Sequence, residues 1–327
     1  RHQAAGGTTL TTERSTLVGF QLTTTGSCLW TGGGSFPTVW ENEDNWSGAV
    51  PMERDHALIP GGVSSYPILT SHTDCENLEI ASGASLTMNP SSSLTVNGLL
   101  DNSGTLEVLS DASESASLIV EGQASGIVYY QSYLTADQWH IVSPPVFGQS
   151  ISSFLVDPFN QIPTNPTNEF YGMTDYDEPD NAWNSFFTTG HGGNFSAGKG
   201  YLLRRELTDG PVSYTGNVIA SDLTLGIPAS NGGWNAVGNP FTSAIGATSD
   251  ATSAEDFLTI NLDQLDPNYG VLYVWVEDDG YTGTQNNYRV IGNAGYTDAH
   301  GYPELNVDYI QAGQGFLVKA KSGGGIL

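Results

Sequence analysis

The sequence predicts an all-β fold, and three observations carry that expectation. Val, Ile, Thr, Tyr, Phe and Trp alternate with turn residues over most of the 327 positions, and glycine alone accounts for 40 of them; this is the pattern of many short strands joined by tight turns. Residues that favour helices are scarce, with 3 Met and 9 Lys plus Arg in total. No long stretch places apolar residues at helical spacing, and only Ala254-Glu255-Asp256-Phe257-Leu258 suits one short helix. The length fits two or three domains.

Residues 1–27 are Thr-rich and have no core of their own. Within them Val18, Phe20 and Leu22 share one face of a strand, with Gly19, Gln21 and Thr23 on the other. This period of two marks an amphipathic strand that must find a partner elsewhere, so residues 1–27 are read as an N-terminal extension carrying a candidate donor strand.

Residues 28–125 contain a short repeat of the form apolar, any, apolar. It reads Leu78-Glu79-Ile80, Leu86-Thr87-Met88, Leu94-Thr95-Val96, Leu106-Glu107-Val108 and Leu118-Ile119-Val120, with the leading Leu at intervals of 8, 8, 12 and 12. Near-regular short strands suggest a small β-solenoid. A β-meander of hairpins gives the same spacing, and Asn97-Gly98 would suit a two-residue hairpin turn.

Residues 126–327 hold a longer internal similarity. Trp139-His140-Ile141-Val142-Ser143-Pro144-Pro145 matches Trp234-Asn235-Ala236-Val237-Gly238-Asn239-Pro240 at an offset of 95. Gly198-Lys199-Gly200-Tyr201-Leu202-Leu203 matches Gly313-Gln314-Gly315-Phe316-Leu317-Val318 at an offset of 115. Between them lie Phe154-Leu155 and Phe257-Leu258, then Trp183 and Trp275. The expectation is a duplicated β-sandwich or jelly roll with units at about 126–222 and 223–327. In the first unit a further strand, Pro211-Val212-Ser213-Tyr214, follows Tyr201-Leu202-Leu203; in the second the matching strand is missing or barely begun at Ile326-Leu327. Strand donation by residues 16–23 of a neighbour would repair such a sheet, and truncation of the chain gives the same pattern.

The formal net charge is −26. That argues against nucleic acid, whose phosphates need clustered Lys and Arg, and against an anionic membrane surface. No run has the length of a membrane-spanning helix, so no membrane insertion is expected. The sequence opens Arg1-His2-Gln3 without Met, which suggests a processed or partial chain. The two cysteines, Cys28 and Cys75, are expected to form a disulfide in a chain of secreted composition, worth about 4 kcal/mol in the chain-entropy model; two buried thiols are the other reading.

Several motifs resemble large secreted surface proteins of the Bacteroidota. They are Trp30-Thr31-Gly32, Trp40, Asn45-Trp46-Ser47-Gly48-Ala49-Val50-Pro51, and Cys75-Glu76-Asn77-Leu78-Glu79-Ile80 running on to Gly83-Ala84-Ser85-Leu86-Thr87. The resemblance covers about residues 28–320. It implies a secreted, extracellular or cell-surface location and export by the type IX system, and it transfers no catalytic residues.

No His-Glu-x-x-His, Gly-x-Ser-x-Gly or phosphate-loop pattern occurs, so an enzyme is not expected. The acidic loops at Asp175, Asp177 and Asp180 and at Asp278 and Asp279 offer oxygen ligands of the kind calcium takes, and a solvated loop explains them equally. The expected function is an extracellular structural or adhesive surface protein, with self (as a homopolymer) or other surface proteins and glycans as partners. The alternative is a secreted carbohydrate-binding module using rings such as Tyr281, Tyr296 and Tyr302.

Overall fold

Alternation of period two, sustained through residues 28–134, winds the chain into a β-solenoid of about three turns. The computed structural model describes residues 26–167, 169–252, 255–277, 287–293 and 301–327. β1 (Ser27–Trp30) and β2 (Trp46–Ser47) form its entrance. The turns are β3 (His56–Ile59), β4 (Ile68–Leu69), β5 (His72–Cys75); β6 (Asn77–Ile80), β7 (Ser85–Met88), β8 (Ser93–Val96); and β9 (Leu99–Asn102), β10 (Thr105–Val108), β11 (Ser117–Val120). β12 (Gln123–Ser125) and β13 (Val128–Leu134) begin another. Strands one turn apart pair in parallel, so each turn adds one strand to each of three sheets. This separates the solenoid from the meander, in which neighbouring strands would pair antiparallel. Asn97-Gly98 links β8 to β9, which belong to different sheets.

The register stacks like on like. Leu86 stands beside Leu106 and Met88 beside Val108. Ala57, Leu78 and Leu100 form a second column, and Cys75, Val96 and Val120 a third. All but Val120 of these are fully or almost fully buried. Each interior Leu contributes about 2 kcal/mol by leaving water.

Three indoles close the entrance. Trp46 packs edge-on against Trp30 and Trp40, with ring centroids 5.0 and 4.7 Å away. The Trp46 indole donates to the Trp40 carbonyl and the Trp30 indole to that of Ser65, both at 2.8 Å. The buried Asn45 amide donates to the carbonyls of Phe36 and Val39. The Trp-Thr-Gly and Asn-Trp-Ser motifs are therefore the cap of the first turn, where apolar columns would otherwise meet water.

Beyond the solenoid come β14 (Trp139–Val142), α1 (Ile151–Val156), β15 (Met173–Asp177), β16 (Ala182–Trp183), β17 (Tyr201–Arg204) and β18 (Gly210–Gly216). They are followed by β19 (Gly226–Ile227), β20 (Trp234–Gly238), β21 (Ile245–Gly246), α2 (Phe257–Asn261), β22 (Leu272–Trp275), β23 (Tyr288–Ile291), β24 (Tyr309–Ile310), β25 (Gly315–Lys319) and β26 (Gly325–Ile326). Two antiparallel four-stranded sheets result, β14-β17-β15-β16 and β20-β25-β22-β23. Their strand order is the same: first, last, second, third. Their register agrees too. Trp139 opposes Arg204 and Val142 opposes Tyr201, while Trp234 opposes Lys319 and Val237 opposes Phe316.

The sheets pack on each other through Ile141 and Leu202 on one side and Ala236, Tyr273 and Leu317 on the other. Their contacts are reciprocal. Val142 bridges Gln314 as Lys199 bridges Val237. The Ser143 amide donates to the Gly313 carbonyl at 2.9 Å, and the Gly238 amide to that of Gly198 at 3.0 Å. Glycine is required where the backbones meet. A Cβ on Gly200 would lie 2.9 Å from the Val237 oxygen, and one on Gly315 2.6 Å from Ile141 Cγ2.

Trp183 and Trp275 are not equivalent, contrary to the expected alignment. Trp275 ends the second strand of its sheet, whereas Trp183 lies on the third strand of the other. Each unit carries one cross-strand Trp–Tyr pair, Tyr176–Trp183 and Trp275–Tyr288, with the two ring types exchanged between strands. The edge-on geometry is kept, at 5.2 Å and 83° in one and 5.1 Å and 78° in the other.

Glu178, on the β15–β16 turn, ties the units together. Its buried carboxylate accepts the backbone N–H groups of Ser230, Asn231 and Gly233 at 3.0, 2.7 and 3.0 Å. Desolvation opposes its ionisation, but these donors outweigh it and hold the carboxyl below the ordinary glutamate range. A depressed carboxyl pKa adds stability above the unfolded value, about 4.3 for Glu, and that stability is lost as pH falls through the folded value. Glu178→Gln is therefore expected to cost about 2 kcal/mol at neutral pH and to flatten the fall in melting temperature on acidification. Thermal melts from pH 7 to pH 3 check this; parallel curves for both proteins would contradict it.

Candidate assembly interface

In the first unit β18 fills the core beside α1, whereas among the described residues of the second unit β26 pairs with β19 and a groove lies beside α2. In the first, β18 pairs with all seven residues of β13, which also extends one solenoid sheet. β18 brings Val212 and Tyr214 inward, both fully buried. Tyr214 stacks on Phe154 of α1 at 5.0 Å and 9°, and Phe195 packs edge-on against Phe154 at 5.3 Å.

In the second unit Phe257 of α2 stands for Phe154, and Phe316 for Tyr201. Phe257 packs edge-on against Phe316 at 5.3 Å. β26 pairs with β19 at Ile227–Gly325, the counterpart of the pair Leu134–Gly210. Leu225 and Leu327 then exchange both backbone hydrogen bonds at 2.9 Å, as the counterpart of Ser132 and Val212. The next inward position, that of Tyr214, lies beside Leu223. There the surface is an open groove of about 440 Å³ lined by Leu223, Leu225, Ile245, Phe257, Ile260 and Leu327. Phe154 is completely buried in the first unit, whereas Phe257 is half-buried and Ile260 is 54% exposed. Asp222 and Glu255 stand at the rim.

Such a groove can take an extended segment with apolar side chains at alternate positions. A neighbouring backbone offers the ladder, and the rings of the groove offer the pockets. The signal was present in the sequence, since Phe154-Leu155 aligns with Phe257-Leu258 while Val212 and Tyr214 have no match. It needed β18 to be placed against α1 before it could be read.

The residues singled out from sequence are dispersed. Val18, Phe20 and Leu22 lie outside the described residues, as do Asp278 and Asp279. Asp175 is engaged: its carboxylate accepts from Lys199 at 2.5 Å and from Asn184 at 2.9 Å. Burial opposes its ionisation, but Lys199 and Asn184 prevail and hold it below the ordinary aspartate range. Asp177 pairs with Ala182 across the β15–β16 hairpin, and Asp180 is exposed on its turn. Among the described residues no three His, Cys, Asp or Glu side chains converge as metal ligands.

The expected disulfide is corrected: Cys28 and Cys75 are both free, buried thiols. Each fills a small apolar slot in a solenoid column, Cys28 beside Ala57 and Cys75 beside Val96. Desolvation, reinforced by Asp74, Glu76 and Asp55, pushes the Cys75 thiol up to about 12. Protein handled without reductant should accordingly resist thiol reagents when folded and react at both cysteines once unfolded. Recovery of a Cys28–Cys75 cross-linked peptide would contradict this.

Against this geometry, sequence comparison gives one match. A family model described as a domain of unknown function, DUF8693, matches residues 29–325. The chain belongs to the DUF8693 family. The DUF8693 match runs through the solenoid and both four-stranded sheets as one unit. No curated protein and no solved structure matches the chain.

Proposed function

We propose that this DUF8693 protein is an extracellular structural or adhesive surface protein whose subunits join head to tail by strand donation. The observation that carries the reading is the groove between β19 and α2, open where its counterpart in the first unit is filled by Val212 and Tyr214. Residues 16–23 of a second copy supply a strand of matching period, with Val18, Phe20 and Leu22 where β18 has alternating apolar residues. The first 25 residues carry two Arg against one Glu in a chain of net charge −26, so donor and acceptor attract. Burying three such side chains contributes about 5 kcal/mol or more before the cost of ordering the strand. A contact of this kind does not close on itself, and it propagates as an open filament. In this reading the two sheets are duplicated units of one sandwich, and the acidic, lysine-poor composition is that of a secreted surface.

The test uses protein lacking residues 1–24, a deletion that removes nothing from the described core. A peptide of residues 16–23 should slow hydrogen exchange at residues 221–227. The same peptide with Val18, Phe20 and Leu22 changed to Ser should not. Unchanged exchange with both peptides rejects the reading.

A further inference from the structure

A second cavity, of about 240 Å³, opens between the two four-stranded sheets and is walled by Tyr176, Asn181, Trp234, Tyr273, Tyr288 and Tyr302, with Leu317 at its floor. Its makeup is unusual for a surface. Tyr176, Trp234, Tyr288 and Tyr302 are each only half-buried, so aromatic faces that core packing would cover stay accessible.

The rings are held rigidly. Trp234 meets Tyr273 at 4.9 Å and 83°, and Tyr273 meets Tyr302 at 5.3 Å and 84°. Tyr176 and Tyr288 are each fixed edge-on by an indole, Trp183 at 5.2 Å and Trp275 at 5.1 Å. Asn181 sits at the mouth in the left-handed region, with φ of 50°. Its Oδ1 accepts from the Tyr176 hydroxyl at 2.9 Å, which directs the amide group to one side of the opening. Fixed rings with a few convergent polar groups are how small ligand sites are built.

The chemistry of the wall selects the ligand class. A box of aromatic rings can hold an organic cation, and one wall ring, Trp234, already has a cation of the chain beside it. The Lys319 ammonium lies 3.7 Å from the Tyr269 centroid and 5.7 Å from that of Trp234, and 4.0 Å from Asp266. Among the described residues no carboxylate lines the cavity, so a bound cation would have no counter-charge there. A sugar ring suits it: an apolar C–H face lies on an indole or phenol ring, and hydroxyls reach the Asn181 amide and the phenol groups. The cavity has room for about one such ring. We infer that this cleft binds a single sugar residue of a glycan, a site that does not depend on strand donation.

A printed array of neutral and acidic glycans should show a preferred set for the intact protein. Titration of the best monosaccharide should change intrinsic tryptophan fluorescence. Trp234→Ala should weaken binding at least about tenfold. Asn181→Gly tolerates the left-handed backbone, keeps the melting temperature, and should weaken binding about fivefold. The inference is overturned if no glycan binds, if both folded variants bind as well as the parent, or if tetramethylammonium changes the fluorescence and sugars do not.

Discussion

Tyr214→Ala is expected to destabilise the protein by about 3–5 kcal/mol, whereas Phe257→Ala in the unassembled subunit should cost only about 1 kcal/mol. Phe257 stands for Phe154, the ring on which Tyr214 stacks, so the contrast compares a filled region with its open counterpart. Tyr214 is completely buried between β13 and α1 and stacked on Phe154. Its loss leaves a cavity in a region continuous with the solenoid core. Phe257 is half-buried at an open groove and already meets water. The Tyr214 hydroxyl itself finds no hydrogen-bond partner, and desolvation drives its pKa upward. Tyr214→Phe should consequently be neutral or stabilising by about 1 kcal/mol. Chemical denaturation of the three variants measures this. Equal losses for Tyr214→Ala and Phe257→Ala would show that the second unit is as well filled as the first.

Leu86→Ala should cost about 3–4 kcal/mol, while Thr87→Ala on the adjacent outward position should stay within about 0.5 kcal/mol. Leu86 is fully buried in the second of the three turns and stands in register with Leu106. In a solenoid each turn is supported only by its neighbours, so a void in a middle turn weakens both flanks. A midpoint shift of similar size for both substitutions would contradict the assigned inward and outward faces.

The solenoid was legible because its apolar positions recur at short intervals, and five of the Leu-led triplets lie on β6, β7, β8, β10 and β11. Four strands of the three turns, β3, β4, β5 and β9, carry no such triplet. β9 has Leu100 inward but Asn102 where an apolar residue was sought. Asn102 is buried because its amide donates to the Ile127 carbonyl at 2.6 Å and its oxygen accepts from Gly104 at 3.1 Å, holding the corner of the turn. Hydropathy alone cannot show such a residue as core. α1 is not legible in the sequence for a related reason: Ser150-Ile151-Ser152-Ser153 is poor helix sequence, and burial of Ile151, Phe154 and Leu155 on one face supplies what propensity lacks. The helix expected near Leu258 forms, starting at Phe257, because the Asp256 carboxylate accepts the Thr259 amide at 2.8 Å. The acidic loop at Asp175–Asp180 is dense in carboxylates, yet its buried member is Glu178, whose partners are backbone amides more than fifty residues away. The aromatic cleft depends on contacts between the units, which no local pattern encodes.

The central claim is that one copy completes another, and the most direct measurement is the assembly state of the purified protein with and without residues 1–24. Sedimentation velocity and negative-stain electron microscopy should show chains or filaments of the intact protein. They should show monomers after the deletion, with far-ultraviolet circular dichroism and melting temperature of the core retained. Phe20→Glu in the intact chain should match the deletion. Filaments that persist without residues 1–24, or an intact protein that stays monomeric at high concentration, would contradict strand donation.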